Sequence, residues 1–215
     1  SGASWSQQTQ WYGGGGYPYM HADQHAMVYH EGSSTRLFFG NDGGIYRCDN
    51  ANAGGGASIV EIYNDYNVTQ FYSCDISPTM GSNNFIAGSQ DNGTQKFDMA
   101  GMNNTVEVTG GDGAFNHIDQ DNPDVQTSQY TYNAYRVTTN NWGSFVSFNI
   151  GSSQGRFINP SDLDSDENNL YACYSAGRYS RIVGVGTTNT TSTHAVAEFP
   201  NDRLSTVRVS PNVTN

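Results

Sequence analysis

A short hairpin with a basic end recurs four times along this chain, and no other feature restricts its fold as much. The copies read Arg36-Leu-Phe-Phe-Gly-Asn-Asp-Gly-Gly-Ile-Tyr-Arg47, Asn84-Phe-Ile-Ala-Gly-Ser-Gln-Asp-Asn-Gly-Thr-Gln-Lys96, Val125-Gln-Thr-Ser-Gln-Tyr-Thr-Tyr-Asn-Ala-Tyr-Arg136 and Asn169-Leu-Tyr-Ala-Cys-Tyr-Ser-Ala-Gly-Arg-Tyr-Ser-Arg181. The basic ends are 49, 40 and 45 residues apart. A period near 45, β-branched and aromatic strand residues, Gly/Asn/Asp turns and almost no helical periodicity predict an all-β chain built of four-stranded antiparallel β-propeller blades. A β-sandwich repeats strands every 8–12 residues or so and gives no reason for the longer period.

A loop signature precedes several hairpins, as Asp75-Ile-Ser-Pro78, His117-Ile-Asp-Gln-Asp-Asn-Pro123, Ile158-Asn-Pro160 and Val207-Arg-Val-Ser-Pro211, so that a fifth unit begins where the sequence stops. The expectation is one partial propeller domain over 1–215, with repeat units at roughly 20–65, 66–110, 111–155 and 156–205, cut at both ends. About four blades are then present, from a propeller of seven or more. An open propeller exposes two sheet edges, which further blades or neighbouring chains are expected to cover.

Twenty acidic residues face eight arginines and one lysine, Lys96, and the net charge of -11 argues against nucleic acid or an anionic membrane surface as a partner. Aliphatic runs reach three or four residues, far short of the ~18 that span a bilayer, so membrane insertion is not expected. The first residues show neither the basic nor the apolar region of a signal peptide, which says little about export of a fragment. Cys48, Cys74 and Cys173 are widely spaced without any C-x-x-C pair, which excludes a recognisable zinc or thioredoxin-like pattern. Buried free thiols and a single disulfide both fit them.

Four motifs occur in order: His21-Ala-Asp-Gln-His25-Ala-Met, Gly40-Asn-Asp-Gly-Gly-Ile-Tyr46, Gly88-Ser-Gln-Asp-Asn-Gly-Thr-Gln95 and Gly110-Gly-Asp-Gly-Ala-Phe115. Through them the chain, from Trp5 to Asn215, resembles the large propellers with Asp-box-like (BNR-like) repeats, the sortilin-type and xyloglucanase-like group, especially exported bacterial versions. The resemblance implies a secreted or cell-surface location. It also implies loops gathered at one rim of the propeller. Only degenerate relics of the Asp box itself are present, at Ser4-Trp5 and Val137-Thr-Thr-Asn-Asn-Trp142. The group includes glycoside hydrolases, adhesin-like proteins and receptor ectodomains, so it does not choose a function.

Asp23, Asp42, Asp91 and Asp112 sit in Gly- or His-flanked loops and are the candidate catalytic set. Two facing carboxylates at about 5–10 Å suffice for glycoside hydrolysis. The same residues equally serve as turn formers that accept backbone N–H bonds and tolerate left-handed conformations. His21, Asp23 and His25 form H-x-D-x-H, whose alternate side chains share one face of an extended segment and suit a transition metal or a substrate. Together with Gln90, Asp91 and Asp112 they make the candidate ligand-binding set. Asp162, Asp164, Asp166 and Asn168 alternate like the first positions of a calcium loop and are the candidate metal ligands. The segment lacks the Gly and the bidentate Glu of an EF-hand, and a solvated acidic turn fits it too.

The Gly- and Tyr-rich stretch holding Trp11, Tyr12, Tyr17 and Tyr19 is a candidate contact surface, as is the set Tyr130, Tyr132 and Tyr135. Sequons begin at Asn67, Asn92, Asn103, Asn189 and Asn212. The reading preferred from sequence is a non-catalytic extracellular module that binds a protein or a glycan and is stabilised by calcium. The alternatives are a xyloglucanase-like hydrolase with paired rim carboxylates and a structural subunit of a surface assembly.

Overall fold

Polar and glycine-containing turns cut the chain into sixteen strands among the described residues of the computed structural model, which are 2, 4–63, 69–101 and 105–210. The first sheet holds β1 (Gln24–Tyr29), β2 (Leu37–Asn41), β3 (Gly44–Cys48) and β4 (Ile59–Glu61), and the second β5 (Ser73–Ile76), β6 (Phe85–Gly88), β7 (Thr94–Phe97) and β8 (Thr105–Thr109). The third holds β9 (Asn116–Ile118), β10 (Gln126–Gln129), β11 (Ala134–Thr138) and β12 (Val146–Asn149), and the fourth β13 (Ser161–Asp164), β14 (Asn169–Ser175), β15 (Arg178–Val183) and β16 (Thr190–Ala195). Every sheet is an antiparallel meander in chain order, the blade of a β-propeller, as the repeat predicts. The only described helical segment is a 3-10 turn at Ala51–Gly56.

The repeated basic residue has a fixed place in this plan. Arg47, Lys96, Arg136 and Arg181 all lie on the third strand of their sheets, opposite Phe38, Ile86, Ser128 and Tyr171 of the second. The turn between those strands is the polar middle of each sequence copy. In the first sheet, Asn41 pairs with Gly44 and the Asn41 side chain accepts the Gly43 amide at 3.0 Å. Gly44 has φ +123°, a conformation that L side chains rarely adopt.

The chain divides into two compact units, Ser1–Val68 with the first sheet and Thr69–Asn215 with the other three. In the second unit, Val125, Tyr135, Val137, Ile150, Leu170, Ala172, Ile182 and Val185 form one buried apolar cluster joining the third and fourth sheets. The alternation of β11, with Tyr135 and Val137 buried, supplies one wall, and Leu170 with Ala172 of β14 the other. Side chains of this size contribute about 1.5–3 kcal/mol each when fully buried.

Several polar side chains buried between these sheets are hydrogen-bonded to one another, although Thr127 Oγ1 and Asn169 Oδ1 are buried without a hydrogen bond. Thr94 of β7 meets Ser128 of β10 at 2.6 Å and donates to Asn116 of β9 at 3.2 Å. Asn133 donates to the Cys173 carbonyl at 2.9 Å and accepts from Tyr135, Asn159 and Ser180. Such networks hold adjacent sheets in a single register, because any slip leaves buried donors and acceptors unmatched.

The meander also places the loops. In an up-and-down sheet, the lead into the first strand and the hairpin between the second and third strands lie at one end. Asp23 and Asp42 therefore share an end of the first sheet, and Asp91 and Asp112 share an end within the second unit. The 164–169 hairpin between β13 and β14 lies at the opposite end of its sheet.

Candidate functional site

In the first unit the rim residues form a small carboxylate–imidazole group. The His21 carbonyl accepts the side-chain amides of Gln24 at 2.5 Å and Asn41 at 3.3 Å, tying the lead into β1 to the β2–β3 turn. That tie brings carboxylate oxygens of Asp23 and Asp42 within 4.8 Å of each other, and His25 Nε2 donates to Asp42 Oδ1. All three are exposed.

The H-x-D-x-H segment is not extended throughout, contrary to the single-face expectation. Asp23 has φ +57° and precedes β1, so the alternation of side chains is broken at the middle residue. His21 is buried instead, with Nδ1 donating to the Ala22 carbonyl and its ring against Gly43. A Cβ at Gly43 would meet the His21 ring at 2.6 Å.

Tyrosines flank this turn. Tyr63 packs on Gly44, and the Tyr19, Tyr46 and Tyr63 rings follow one another edge to face at centroid distances of 6.3 and 6.4 Å. Burial and the Glu61 carboxylate that accepts its hydroxyl at 2.8 Å push the Tyr63 pKa up to about 12, and burial raises Tyr46 as well. Both stay neutral donors with apolar faces. Tyr19 remains 42% exposed, and Trp11 and Tyr12 of the glycine-rich loop are more exposed still, at 59% and 79%.

The second unit uses its rim residues differently. Asp91, at φ +60° in the β6–β7 turn, donates its amide to Asp112 Oδ1 at 3.2 Å. Asp112 thus ties the 110–115 loop to the β6–β7 turn. Gln90 accepts the Tyr72 hydroxyl at 2.8 Å.

A polar ladder on the first strands was not singled out by its residue types. The strands β5, β9 and β13 open consecutive blades, and Asp75, His117 and Asp162 occupy the same register position, opposite Ile86, Thr127 and Tyr171. Arg208 follows in the matching Val207-Arg-Val-Ser motif. Asp75 Oδ2 accepts the Ile118 amide at 2.7 Å, and Asp162 Oδ2 accepts the Val209 amide at 2.7 Å. His117 Nδ1 lies 4.0 Å from Asp162 Oδ1, with Arg208 Nη1 at 3.6 Å from the same oxygen. Ser161 meets the other imidazole nitrogen at 3.0 Å.

Burial lowers the His117 pKa to about 4, Asp162 opposing the shift and Arg208 adding to it. Burial raises Asp75, against the two backbone amides that bind its carboxylate. The signal was present in the sequence. Asp75, His117 and Arg208 each stand in the loop signature that opens a blade, and aligning those copies superposes them.

Of the candidate calcium ligands, Asp162 belongs to this ladder and Asp164 Oδ1 accepts the Glu167 amide at 3.2 Å within its own hairpin. Asn168 has φ +52°. Asp162, Asp164 and Asp166 do not form a group whose carboxylates all lie within 4.8 Å of one another. Cys48, Cys74 and Cys173 are free thiols, the first and last buried. The sequons at Asn67, Asn103 and Asn212 lie outside the described residues, as does Pro211 of the last loop signature, while Asn189 turns its side chain to the Gly186 amide at 3.1 Å.

Four-stranded meanders carrying polar ladders on their first strands define the chain as a set of propeller-type blades. No protein-family model and no curated protein matches it. Among solved structures it is similar to an ancestral GH74 enzyme, at 14% identity over 74% of this chain and 22% of that chain, with a TM-score of 0.42. It is likewise similar to the GH74 enzyme of Niastella koreensis (14% identity, 79% and 30% coverage, TM-score 0.47) and to apo AztD from Citrobacter koseri (11%, 84% and 49%, TM-score 0.45). The chain spans less than half the length of each. No described helix is long and apolar enough to cross a membrane.

Proposed function

We propose that this chain is part of an extracellular or cell-surface propeller and that it binds a glycan, without turnover, at the Asp42 end of its first sheet. One observation carries the reading: Asp23, Asp42 and His25 meet on a turn whose glycines are flanked by His21 and the Tyr19–Tyr46–Tyr63 row. Carboxylates and an imidazole match sugar hydroxyls, and tyrosine faces match the apolar faces of the ring. The Val137–Trp142 turn supports the Asp-box-like reading: Asn141 and Trp142 take left-handed φ, and the indole donates to Gln126 at 2.6 Å.

The test is binding to an array of plant and bacterial polysaccharides, followed by titration of the best hit against Asp42→Asn and Tyr19→Ala. Loss of at least tenfold in affinity with unchanged melting supports the assignment, and an array with no hit overturns it. The close Asp23–Asp42 approach favours a second reading, a hydrolase, since retaining glycosidases hold their carboxylates about 5–5.5 Å apart. Release of reducing ends from the bound glycan, abolished in Asp23→Asn, would replace the binding module with that enzyme.

A further inference from the structure

The repeat itself provides an internal comparison for the basic residue on each third strand. In the first two sheets this residue is neutralised by an acid two positions on: Arg47 meets Asp49 at 3.0 Å and Lys96 meets Asp98 at 3.3 Å. In the third and fourth sheets the residues two positions on are Thr138 and Val183, and Arg181, like Arg136, makes no ion pair among the described residues. The Arg136 guanidinium lies 5.0 Å from the centre of the Tyr130 ring, and Nη1 donates to the Gly110 carbonyl at 3.2 Å. Nε and Nη2 have no protein acceptor among the described residues. These two N–H groups form one edge of the guanidinium, the edge that grips a carboxylate through two parallel bonds.

Arg136 lines an open pocket of about 360 Å3, bounded by Tyr130, Ala134, Arg136, Ser147, Phe148 and Asn149 among others. The volume falls in the range of about 300–1,000 Å3 typical of small-molecule sites. Ser147 is directly opposite Arg136 in the β11–β12 register, and Asn149 is opposite Ala134, so the four share one sheet face. Tyr130 closes one side and is itself seated on Gly111, where a Cβ would meet its ring at 2.7 Å.

We propose that this cavity binds an acidic sugar, a hexuronate unit, with its carboxylate on the Nε and Nη2 edge of Arg136. One guanidinium balances one negative charge, which suits a monoanion on a chain of net charge -11. Ser147, Asn149 and the Tyr130 hydroxyl supply partners for ring hydroxyls, and the Tyr130 ring and Ala134 supply apolar contact. The site lies in the second unit and stands independently of the Asp42 turn.

The experiment titrates D-glucuronate and D-glucose into the full chain by NMR or calorimetry, beside Arg136→Gln, Ser147→Asp and Asp42→Asn. Expected are binding of glucuronate, at least tenfold weaker binding of glucose, and loss of at least tenfold in Arg136→Gln. Ser147→Asp places a carboxylate opposite Arg136 at an exposed position and is expected to abolish binding with the fold intact. Asp42→Asn is expected to bind glucuronate as the parent does, whatever it does to the first site. Equal affinity for the two sugars, no glucuronate binding, or unchanged binding in a folded Ser147→Asp chain each overturns the proposal. Capture of acidic peptides in place of glucuronate also overturns it.

Discussion

The side-chain amide of Asn159 donates to Oδ1 of Asn133 at 3.0 Å, and neither residue is exposed to solvent. Asn159 also donates to the Cys173 carbonyl at 2.8 Å, and that carbonyl receives Asn133 as well. Replacing Asn133 by Ala removes an acceptor from Tyr135, Ser180 and Asn159 together. Each buried polar group left unsatisfied costs about 1–3 kcal/mol, and partial repair by the neighbours makes a total of about 3 kcal/mol the expected loss. The urea midpoint of Asn133→Ala checks it, and a shift within error of the parent refutes the network's role.

Stability is expected to fall on mild acidification through His117. Its folded pKa is about 4 against 6.5 in the unfolded chain, so between these values the unfolded state binds the proton and the folded state does not. The stabilisation is complete above pH 6.5 and is lost as the pH drops towards 4. From pH 7 to pH 5 the loss is about 2 kcal/mol for this group. Asp162, Arg208 and Ser161 are the groups that face or bias it. Asp75, whose pKa is raised, works in the opposite sense just above its usual value. Denaturation of the parent and of His117→Gln at both pH values isolates the imidazole, and parallel profiles would falsify the assignment.

Gly88 and Gly113 mark a close approach between the second sheet and the chain that leads into the third. A Cβ at Gly88 would overlap the Ala114 carbonyl and the Asn116 side chain, and one at Gly113 would overlap the Gly93 backbone. Backbone atoms on the far side give way less readily than a flexible side chain. Gly88→Ala is therefore expected to destabilise by about 2–3 kcal/mol, the upper part of the range for overpacking. Thermal melting of Gly88→Ala beside an exposed control, Ser147→Ala, reads the difference.

The His25–Asp42 contact is exposed, with side chains 65% and 39% accessible. Exposed pairs contribute little, so His25→Ala should leave the melting temperature within error of the parent while weakening glycan capture. A large loss of stability would instead make the pair a structural clasp of the rim.

The blade plan was legible because the repeated basic residue occupies the third strand each time, and because a polar turn containing Gly or Asn separates the second and third strands of each hairpin. The site was less so. H-x-D-x-H reads as one face only if its middle residue is extended, and the left-handed φ of Asp23 reflects a loop tied to Asn41 across twenty residues of sequence. His117 has no neighbour in sequence that marks a site, and its partners, Asp162 and Arg208, are brought to it only by folding. Arg136 drew notice only as a repeat marker; the Tyr130 ring and the Gly110 carbonyl that hold its guanidinium are brought to it by folding.

The bonds from Asp75 to the Ile118 amide and from Asp162 to the Val209 amide have a consequence for how such a chain can change over time. In both, an acid on the first strand of a blade grips the main chain of a segment that follows that blade in the sequence, and every residue other than proline offers the same N–H. The joint makes no demand on the side chain it meets. A blade can therefore be duplicated, exchanged or freely mutated at that step, as His117 and Arg208 already differ beside the gripped amides, and its neighbour will still fit.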